Sequence, residues 1–378
     1  MPAMTRPCAA AALGLLLAAP GARAQAPQGP LELRTPGTLR DLFLDMVAWD
    51  AREVAAPRLS VAWAAANDWS TPTVLSRGGR TVLVRLDEQA DSLAVAVRLP
   101  WSAVGGAGAG SWLRRFATAL ELRATAHWGG YSDGPIEAWH SLGDYTDFSR
   151  NYYPRNQVHV VLLEPGGATL VNLSSPAVAG NDVVLRNQVL LWQGGEPLVE
   201  GPPARAGVSL RLDLKLPVGR IADLGGSQGF DAGLGLCGTW QVASWLVGHA
   251  MAAASYWSGL PAGFPLQPRS WHGDLDLSLA FLVGDWALLL EDRLYSPAFQ
   301  PGWALVSPGP HGTPQSSADY PVLRPQNQVS LGVRRGFLAF WVMEDFMLGD
   351  NPGNGTGSWF YDTNAPDLAI GLTLTWPP

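Results

Sequence analysis

Cysteine, lysine and charge are all scarce in this sequence. It has two cysteines, and Cys8 lies in a predicted signal peptide, which is removed on export. Only Cys237 then remains, so the disulfide-stapled class of small secreted domains is excluded. Lys215 is the only lysine, and charged residues make up 15% of the 378 residues, whereas soluble proteins carry about 25%. The net charge is −7. A chain with so few basic residues lacks the footprint that nucleic-acid binding requires, so nucleic acid is excluded as a partner.

A transmembrane helix is also missing from the sequence pattern. The segment from Ala232 to Pro268 has no charged residue, but glycines interrupt it and its apolar residues alternate with period two, which indicates strands. At the N-terminus, Arg6 precedes a short apolar stretch that ends before Ala22-Arg23-Ala24. That order predicts a secretory signal peptide over residues 1–24, because the stretch is too short to span a bilayer.

What the sequence does contain is a repeated strand pattern. Leucine or valine alternates with small, polar or charged residues in Leu93–Leu99, Val208–Leu216, Leu275–Phe281 and Leu368–Trp376. Apolar side chains at every second position lie on one face of a β-strand. Segments of this kind run for about 9 to 12 residues, longer than an average strand and suited to a tilted crossing of a bilayer.

Turns and tryptophans favour an outer-membrane β-barrel. Short connections near 241–244, 284–285 and 334–336 alternate with three long loops rich in Gly, Pro, Asn and Ser. Short turns on one side and long loops on the other are typical of bacterial barrels, and the 17 tryptophans suit membrane interfaces. We therefore predict an all-β fold, an antiparallel outer-membrane β-barrel of about 12 to 14 strands. Dividing the sequence into strands gives an odd number, whereas bacterial barrels have an even number. One strand of the first half is therefore missed or misassigned.

This prediction carries a domain organisation and a location. Residues 25–56 are predicted to form an N-terminal segment in the periplasm or the lumen, and 57–378 the barrel. The last strand ends in Trp376, and a terminal aromatic residue on an alternating strand resembles the signal that the outer-membrane insertion machinery reads. We predict the bacterial outer membrane as the location, its lipids and the insertion machinery as partners, and no cofactor.

A soluble secreted β-sandwich is the alternative fold. Its strands also alternate, but their aliphatic faces pack on each other instead of facing lipid. Strand length, loop asymmetry, low charge and the tryptophan content favour the barrel.

The least strand-like region, residues 102–155, is predicted to be an internal helical plug or insertion. Ser111 is a candidate helix cap, and Trp112, Phe116 and Leu120 would share one helical face. A glycine-rich turn then leads into a second short helix with Pro135 near its first turn. We expect this helical region to lie inside the barrel.

The second helix carries a polar face. Asp133, Glu137 and His140 share that face, so two carboxylates and an imidazole could converge on a metal or a proton-transfer site. In the alternative, the acidic face pairs with lumen arginines. The chain has no second E-x-x-H motif, so we predict no metal site and no catalytic residue here. The residues assigned to this plug or lumen motif are Asp133, Gly134, Glu137, His140, Arg155 and Asn156.

The same motif carries a family resemblance. The run from Gly130 to His140, followed by Arg155-Asn156-Gln157, and the start Gly29-Pro30-Leu31 with Arg34 resemble the domain-of-unknown-function family 3187. That family's pattern is approximately G-G-F-L-D-G-x-I-E-x-F-H. The chain departs from it at Tyr131, Ser132 and Trp139. The resemblance implies an envelope β-barrel and no particular activity.

Charged residues at alternating strand positions are predicted to line the lumen. They are Arg98, Arg211, Asp213, Lys215, Asp274, Asp276, Glu291, Arg293 and Glu344. Mixed signs favour a salt-bridged, mostly closed interior over a strongly ion-selective pore.

These features predict a passive small-solute channel or an envelope-structural protein. The alternatives are a lipid-modifying enzyme of the outer membrane, which would use His140 or His249, and a soluble binding module. The sequence has neither a G-x-S-x-G elbow nor an H-E-x-x-H motif, which favours a role without catalysis.

Overall fold

The structure is a computed structural model. It describes residues 29–34, 37–52, 54, 56–105, 111–143, 154–164, 169–194, 204–261, 264, 266–308, 325–348, 360–362 and 368–376. The predicted signal peptide, residues 1–24, lies outside the described residues. Within the described ranges, no helix is both long enough and apolar enough to cross a membrane.

Strands dominate the described chain. They are β1 (Arg58–Arg77), β2 (Arg80–Pro100), β3 (Phe116–Trp128), β4 (Val160–Leu163), β5 (Thr169–Leu173), β6 (Ala177–Gly180), β7 (Val183–Gly194), β8 (Ala206–Leu216), β9 (Asp231–Ala243), β10 (Leu246–Trp257), β11 (Trp271–Val283), β12 (Trp286–Tyr295), β13 (Ala304–Pro308), β14 (Gln326–Arg335), β15 (Leu338–Leu348), β16 (Phe360–Asp362) and β17 (Leu368–Trp376). The α-helices are Trp101–Gly105 and Asp133–Gly143, and the 3-10 helices are Arg40–Leu42, Ser111–Arg115 and Ile221–Asp223.

Twelve of these strands form a closed antiparallel barrel. Around the ring the order is β1, β2, β3, β7, β8, β9, β10, β11, β12, β14, β15 and β17, and β17 pairs back with β1. The closing seam runs without a register break from the pair Leu59 and Trp376 to the pair Asn67 and Leu368. The prediction of an antiparallel barrel of 12 to 14 strands is confirmed. A β-sandwich consists of two sheets packed face to face. Here a single sheet closes on itself, so the β-sandwich alternative is wrong.

The two ends of the barrel differ. At one end, called here the turn end, β1 begins and β17 finishes, and tight turns join β9 to β10, β11 to β12 and β14 to β15. The long connections after β3, β8, β10, β12 and β15 all lie at the opposite end, called here the loop end. The predicted alternation of short and long connections is therefore present.

Polar residues lie inside and apolar residues outside, the reverse of the arrangement in a soluble protein. On β11, Asp274, Asp276 and Ser278 are buried, whereas Leu275, Leu277 and Leu279 between them are exposed. The other exposed aliphatic side chains of this outer band include Leu93, Val97, Leu120, Leu122, Leu212, Leu234, Leu236, Leu288, Leu290, Leu331 and Val333. An apolar exterior around a polar interior is the pattern of a barrel that spans a bilayer.

Aromatic side chains border this band at both ends. Exposed tryptophans gather at the turn end: Trp101, Trp112, Trp192, Trp240, Trp245, Trp286 and Trp376. Phe230, Tyr256 and Trp271 are exposed near the loop end. Rings at these two levels match the aromatic girdles of transmembrane barrels, where the amphipathic indole sits at the lipid headgroups.

The helix predicted from Ser111 is wrong. Only Ser111–Arg115 is helical, as a 3-10 turn, and the chain then forms the wall strand β3. Phe116 and Leu120 are four residues apart, a spacing that places them on one face of a helix but also on one face of a strand. β3 lies within residues 102–155, where the sequence pattern predicted helices, so the structure does not show the predicted internal helical plug.

A small sheet covers the loop end. β1 and β2 continue beyond the barrel and meet at Gly78 and Gly79, whose φ angles of 57° and 81° suit a two-residue hairpin turn. The order in this extension is β5, β4, β2, β1 and β13. Its inner face contributes Leu75, Val82 and Val84 to a fully buried apolar cluster. The barrel is thus closed over at the loop end.

Candidate functional site in the barrel lumen

The lumen holds the chain's own N-terminal part. Residues 29–34 and 37–52, called here the lumen segment, enter at the turn end beside Arg334 of β14 and reach the loop end near Lys215 of β8. They then return to the turn end, where Ala51 contacts β9 and Arg52 donates to the carbonyl of Ala204, two residues before β8. A segment buried on all sides needs no amphipathic period, which explains why its sequence shows none.

The ascending arm is fastened through its backbone. Arg334 donates from Nη1 to the carbonyl of Gly29 (2.6 Å) and from Nη2 to that of Pro30 (2.7 Å). The amide of Leu31 donates to Oε2 of Glu291 at 3.0 Å. A Cβ at Gly332 would collide with the Leu31 side chain, so a glycine at this wall position lets the arm approach closely.

The apex of the lumen segment is tied to the wall near the loop end. Both the amide and the hydroxyl of Thr38 donate to Asp68 of β1, and the Thr38 hydroxyl lies 2.7 Å from Oε1 of Glu88 on β2. Just beyond, the ring of Phe43 stacks on Trp257 with a centroid separation of 4.2 Å. The apex therefore combines a polar latch with an aromatic contact under the covering sheet.

The descending arm carries an ion pair to the opposite wall. Asp45 pairs with Arg293 of β12, whose Nη2 also donates to the carbonyl of Met46 at 2.9 Å. Burial would raise the pKa of the Asp45 carboxyl, but the guanidinium groups of Arg293, Arg40 and Arg186 together outweigh this effect and hold the pKa well below its usual range. The pair is therefore intact at neutral pH, and its stabilisation is lost only when the pH falls through the lowered pKa of the folded state.

Trp49 is the central contact of the descending arm. Its ring lies between two guanidinium groups, with Arg98 3.9 Å and Arg211 3.8 Å from the ring centroid. All three side chains are buried. Cation–π contacts of desolvated groups contribute on the order of 2 kcal/mol each, so Trp49 joins β2 to β8 through the middle of the lumen.

The wall itself is cross-linked by buried charges. Arg186 on β7 pairs with Glu121 at 2.7 Å and with Asp213 at 2.6 Å, and Arg211 pairs with the same Asp213 at 2.7 Å. Lys215 pairs with Asp182 at 2.6 Å and Asp231 at 3.1 Å. The interior is of mixed sign, and the charges within these two networks compensate each other.

Most of the charged residues predicted to line the lumen face inward. Those with buried side chains on the inner face are Arg98, Arg211, Asp213, Lys215, Asp274, Asp276, Glu291 and Arg293. Glu344 requires a correction. On β15 the inward positions are Trp341, Met343 and Asp345, so strand alternation places Glu344 on the opposite face and Asp345 in the lumen. Asp345 accepts from the hydroxyl of Tyr295 at 2.7 Å.

The motif predicted to lie in the plug sits at the loop end instead. Asp133 accepts from Asn67 of β1 at 3.0 Å and from the amide of Asn156, while Glu137 pairs with the exposed Arg155. Gly134 lies in open space within the helix. Gly130, with φ 64° and no room for a Cβ beside Gln89, lets the chain turn. The side chain of His140 lies outside the described residues. The motif thus fastens a loop to β1.

His249, a residue that the enzyme alternative would use, faces the lumen. Its Nδ1 lies 3.0 Å from Oγ1 of Thr239. Across the residues that the structure describes, no group of three or more His, Cys, Asp or Glu side chains is arranged to hold a metal.

One side of the lumen is not filled by the lumen segment. A small cleft of about 20 Å³, room for about one water molecule, separates the ascending arm from β1, β2 and β17, and its lining consists of Glu32, Arg34, Ser60, Ala62, Ala94, Ala96 and Thr373. The wall side of this cleft carries only small side chains. Its inner side carries two charges of opposite sign, and Glu32 has a left-handed φ of 55°, a strained conformation for a residue with a side chain.

Sequence reasoning left open whether residues 25–56 lie in the periplasm or the lumen, and it did not predict the contacts that the lumen segment makes. Its contacts join residues that are far apart in the chain, as Leu31 and Glu291 are, with a separation of 260 positions. The density of apolar residues between Leu39 and Trp49 was the available signal, because no strand or helix pattern explains it.

Comparisons with known proteins find similar structures but no matching family. No family model and no curated protein matches the chain. An outer-membrane channel from Pseudomonas putida F1 is similar, with 9% identity, a TM-score of 0.44 and coverage of 86% of this chain and 97% of that one. A FadL homologue from Pseudomonas aeruginosa has 10% identity, a TM-score of 0.35 and coverage of 85% and 90%. The monoaromatic hydrocarbon channel CymD has 9% identity, a TM-score of 0.34 and coverage of 85% and 87%.

Proposed function

We propose that this protein is an outer-membrane channel for small solutes, held mostly closed by its lumen segment. The cleft between the small-residue wall and the ascending arm is the observation that carries this proposal. A barrel that served only as an envelope scaffold could fill this space with larger side chains and gain packing energy. In the proposed orientation the turn end faces the periplasm, after export directed by residues 1–24.

Polar contacts make the lumen segment suited to movement. Wall groups hold its ends and apex through hydrogen bonds and ion pairs, as Arg334, Thr38 and Asp45 illustrate. The hydrogen bonds among these contacts can be exchanged for contacts with water at small net cost. Opening must also expose the apolar surface that residues such as Leu31 and Phe43 bury. Solute passage therefore requires the apex to leave Asp68 and Glu88 and the ascending arm to shift away from the cleft.

The cleft gives a direct test of the route. Ala94→Trp places a large ring on the cleft wall and is expected to reduce the open conductance of the reconstituted protein by about half or more. Planar-bilayer recordings of purified protein, refolded to the same heat-modifiable form, measure this effect.

Leu93→Trp is the matched control for this substitution. Leu93 is the preceding residue of β2 but faces outward, with 49% of its surface exposed. A tryptophan there meets lipid and should leave the conductance unchanged. Equal effects of the two variants would place the route elsewhere, and a lack of conductance in every lipid tested would favour an envelope-structural role instead.

The resemblance to the domain-of-unknown-function family 3187 remains a proposal as well. It is supported by the local role of the motif, in which Gly130 and Asp133 have structural reasons for their identity. The proposed partners are outer-membrane lipids at the apolar band, the insertion machinery at the final strand, and a small solute in the cleft.

A further inference from the structure

A row of buried oxygen atoms crosses the lumen wall apart from the cleft. Ser278 on β11, Glu291 on β12 and Ser330 on β14 are direct cross-strand neighbours. Asp276 lies two residues from Ser278 and is the diagonal neighbour of Glu291 on the same face. These four residues, called here the oxygen cluster, are each at least 98% buried.

Each member of the oxygen cluster presents an oxygen without a partner. Among the described residues, Oδ1 of Asp276, Oγ of Ser278, Oε1 of Glu291 and Oγ of Ser330 have no hydrogen-bond partner. The other carboxylate oxygen of Glu291 accepts from the Leu31 amide at 3.0 Å. A buried carboxylate without compensation is strongly destabilising. Two unpartnered hydroxyls beside two carboxyls therefore indicate a ligand that oxygen atoms bind.

The arginines nearest to Asp276 donate their hydrogen bonds to other groups. Arg293 is directly opposite Asp276, but its guanidinium contacts Asp45, Asp274 and the carbonyl of Met46. Arg40 contacts the same Asp274 at 3.3 Å. Arg293 also attracts Asp276 and Glu291 electrostatically. On this side two arginines are therefore shared among four carboxyl groups.

The other residues around the oxygen cluster already have partners of their own. Arg334 donates to the carbonyls of Gly29 and Pro30, and the carboxylate of Glu32 lies on the same arm. On the β10 side the facing residues are Met251 and His249, and Nδ1 of His249 lies 3.0 Å from Thr239. On β15, Asp345 accepts from Tyr295 and Gln328. The oxygen cluster therefore keeps two carboxyl groups to be neutralised.

We propose that Asp276, Ser278, Glu291 and Ser330 bind a hard cation of the calcium class in the lumen wall. Carboxylate and hydroxyl oxygens without sulfur or imidazole ligands suit calcium better than zinc or copper. A divalent ion matches the two carboxylates and supplies the partner that each free oxygen lacks. Because Glu291 also holds Leu31, the ion would stabilise the attachment of the ascending arm. The proposal does not rest on the channel function.

Calcium titration of the full chain in detergent tests the proposal. Isothermal titration with CaCl2 is expected to show one site, and Glu291→Gln should weaken its affinity by about tenfold or more because one charged ligand is removed. Calcium should also raise the temperature at which the folded band is lost on unboiled gels. If Glu291→Gln does not fold, the double variant Ser278→Ala with Ser330→Ala retains both carboxyls and should weaken binding in the same direction.

Ser209→Ala is the matched control. Ser209 on β8 is also fully buried and its hydroxyl has no hydrogen-bond partner among the described residues, but it lies on another part of the wall. Its replacement should leave calcium affinity unchanged. The proposal is overturned if the wild-type protein binds no calcium. It is also overturned if both variants of the oxygen cluster, Glu291→Gln and the double serine variant, bind calcium as tightly as the wild type. A folded band that responds to pH but not to calcium would show that a shared proton neutralises the pair instead.

Discussion

Deleting residues 29–52 is expected to raise the conductance of the reconstituted barrel by about an order of magnitude, because twelve strands enclose a lumen wider than side chains alone can fill. The lumen segment occupies that space and contacts at least ten of the twelve wall strands through residues such as Leu31, Thr38 and Trp49. After deletion, water replaces the segment and hydrates the buried charges. Planar-bilayer recordings of wild type and deletion variant measure the difference.

A milder variant tests the same point without removing the segment. Asp45→Asn removes the ion pair with Arg293 that fastens the descending arm, and should make openings more frequent. Glu137→Gln is its control, because that carboxylate pairs with the exposed Arg155 at the loop end, outside the lumen. If the deletion variant folds and conducts no more than wild type, the lumen segment is not what closes the barrel.

Replacing Asp213 with alanine is expected to cost about 3 to 5 kcal/mol of folding free energy, the range for a broken buried ion pair. Asp213 accepts from both Arg186 and Arg211, and all three side chains are almost completely buried. Its removal takes from Arg186 and Arg211 the carboxylate that both of them contact, so two buried guanidinium groups lose an ion-pair partner. Urea-induced unfolding from detergent or lipid vesicles, followed by tryptophan fluorescence, measures the loss.

An exposed ion pair provides the comparison for Asp213. Asp223 lies 3.6 Å from Arg220, and both side chains are exposed, so Asp223→Ala should change the free energy of unfolding by less than about 1 kcal/mol. Asp213→Asn, which keeps a hydrogen-bond acceptor, should fall between the two. Similar small effects for Asp213→Ala and Asp223→Ala would mean that water reaches the Asp213 network and that the lumen is open there.

The wall strands were predictable because lumen and lipid impose strict alternation. On β8 and β11 every second residue is charged or polar, and the residues between are aliphatic, so the sequence alone identifies strand and face. β3 was not recognised because Phe116 and Leu120 fit a helical face as well. For Glu344 and Asp345, adjacent acidic residues gave no indication of which one faces inward until the register of β15 was fixed.

The lumen segment and the cleft could not be predicted from the sequence in the same way. Residues 37–52 make few hydrogen bonds within their own backbone and take their partners from the wall, for example Asp231 for the Leu44 amide and Thr239 for the Ala51 amide. Such partners are known only after the barrel has closed. The small residues of the cleft, Ala62 and Ala94 among them, are typical of many strands and acquire meaning only opposite Glu32 and Arg34.

Fractionation with a gel assay tests the central claim, a lipid-facing barrel of twelve strands, most directly. The chain is expressed with its N-terminal 24 residues in a Gram-negative host, and the outer-membrane fraction is run with and without boiling. The account predicts that the protein is found in that fraction and that the unboiled band migrates differently from the boiled one, because a closed barrel resists unfolding by detergent. Recovery as a soluble periplasmic protein with a single band would contradict it.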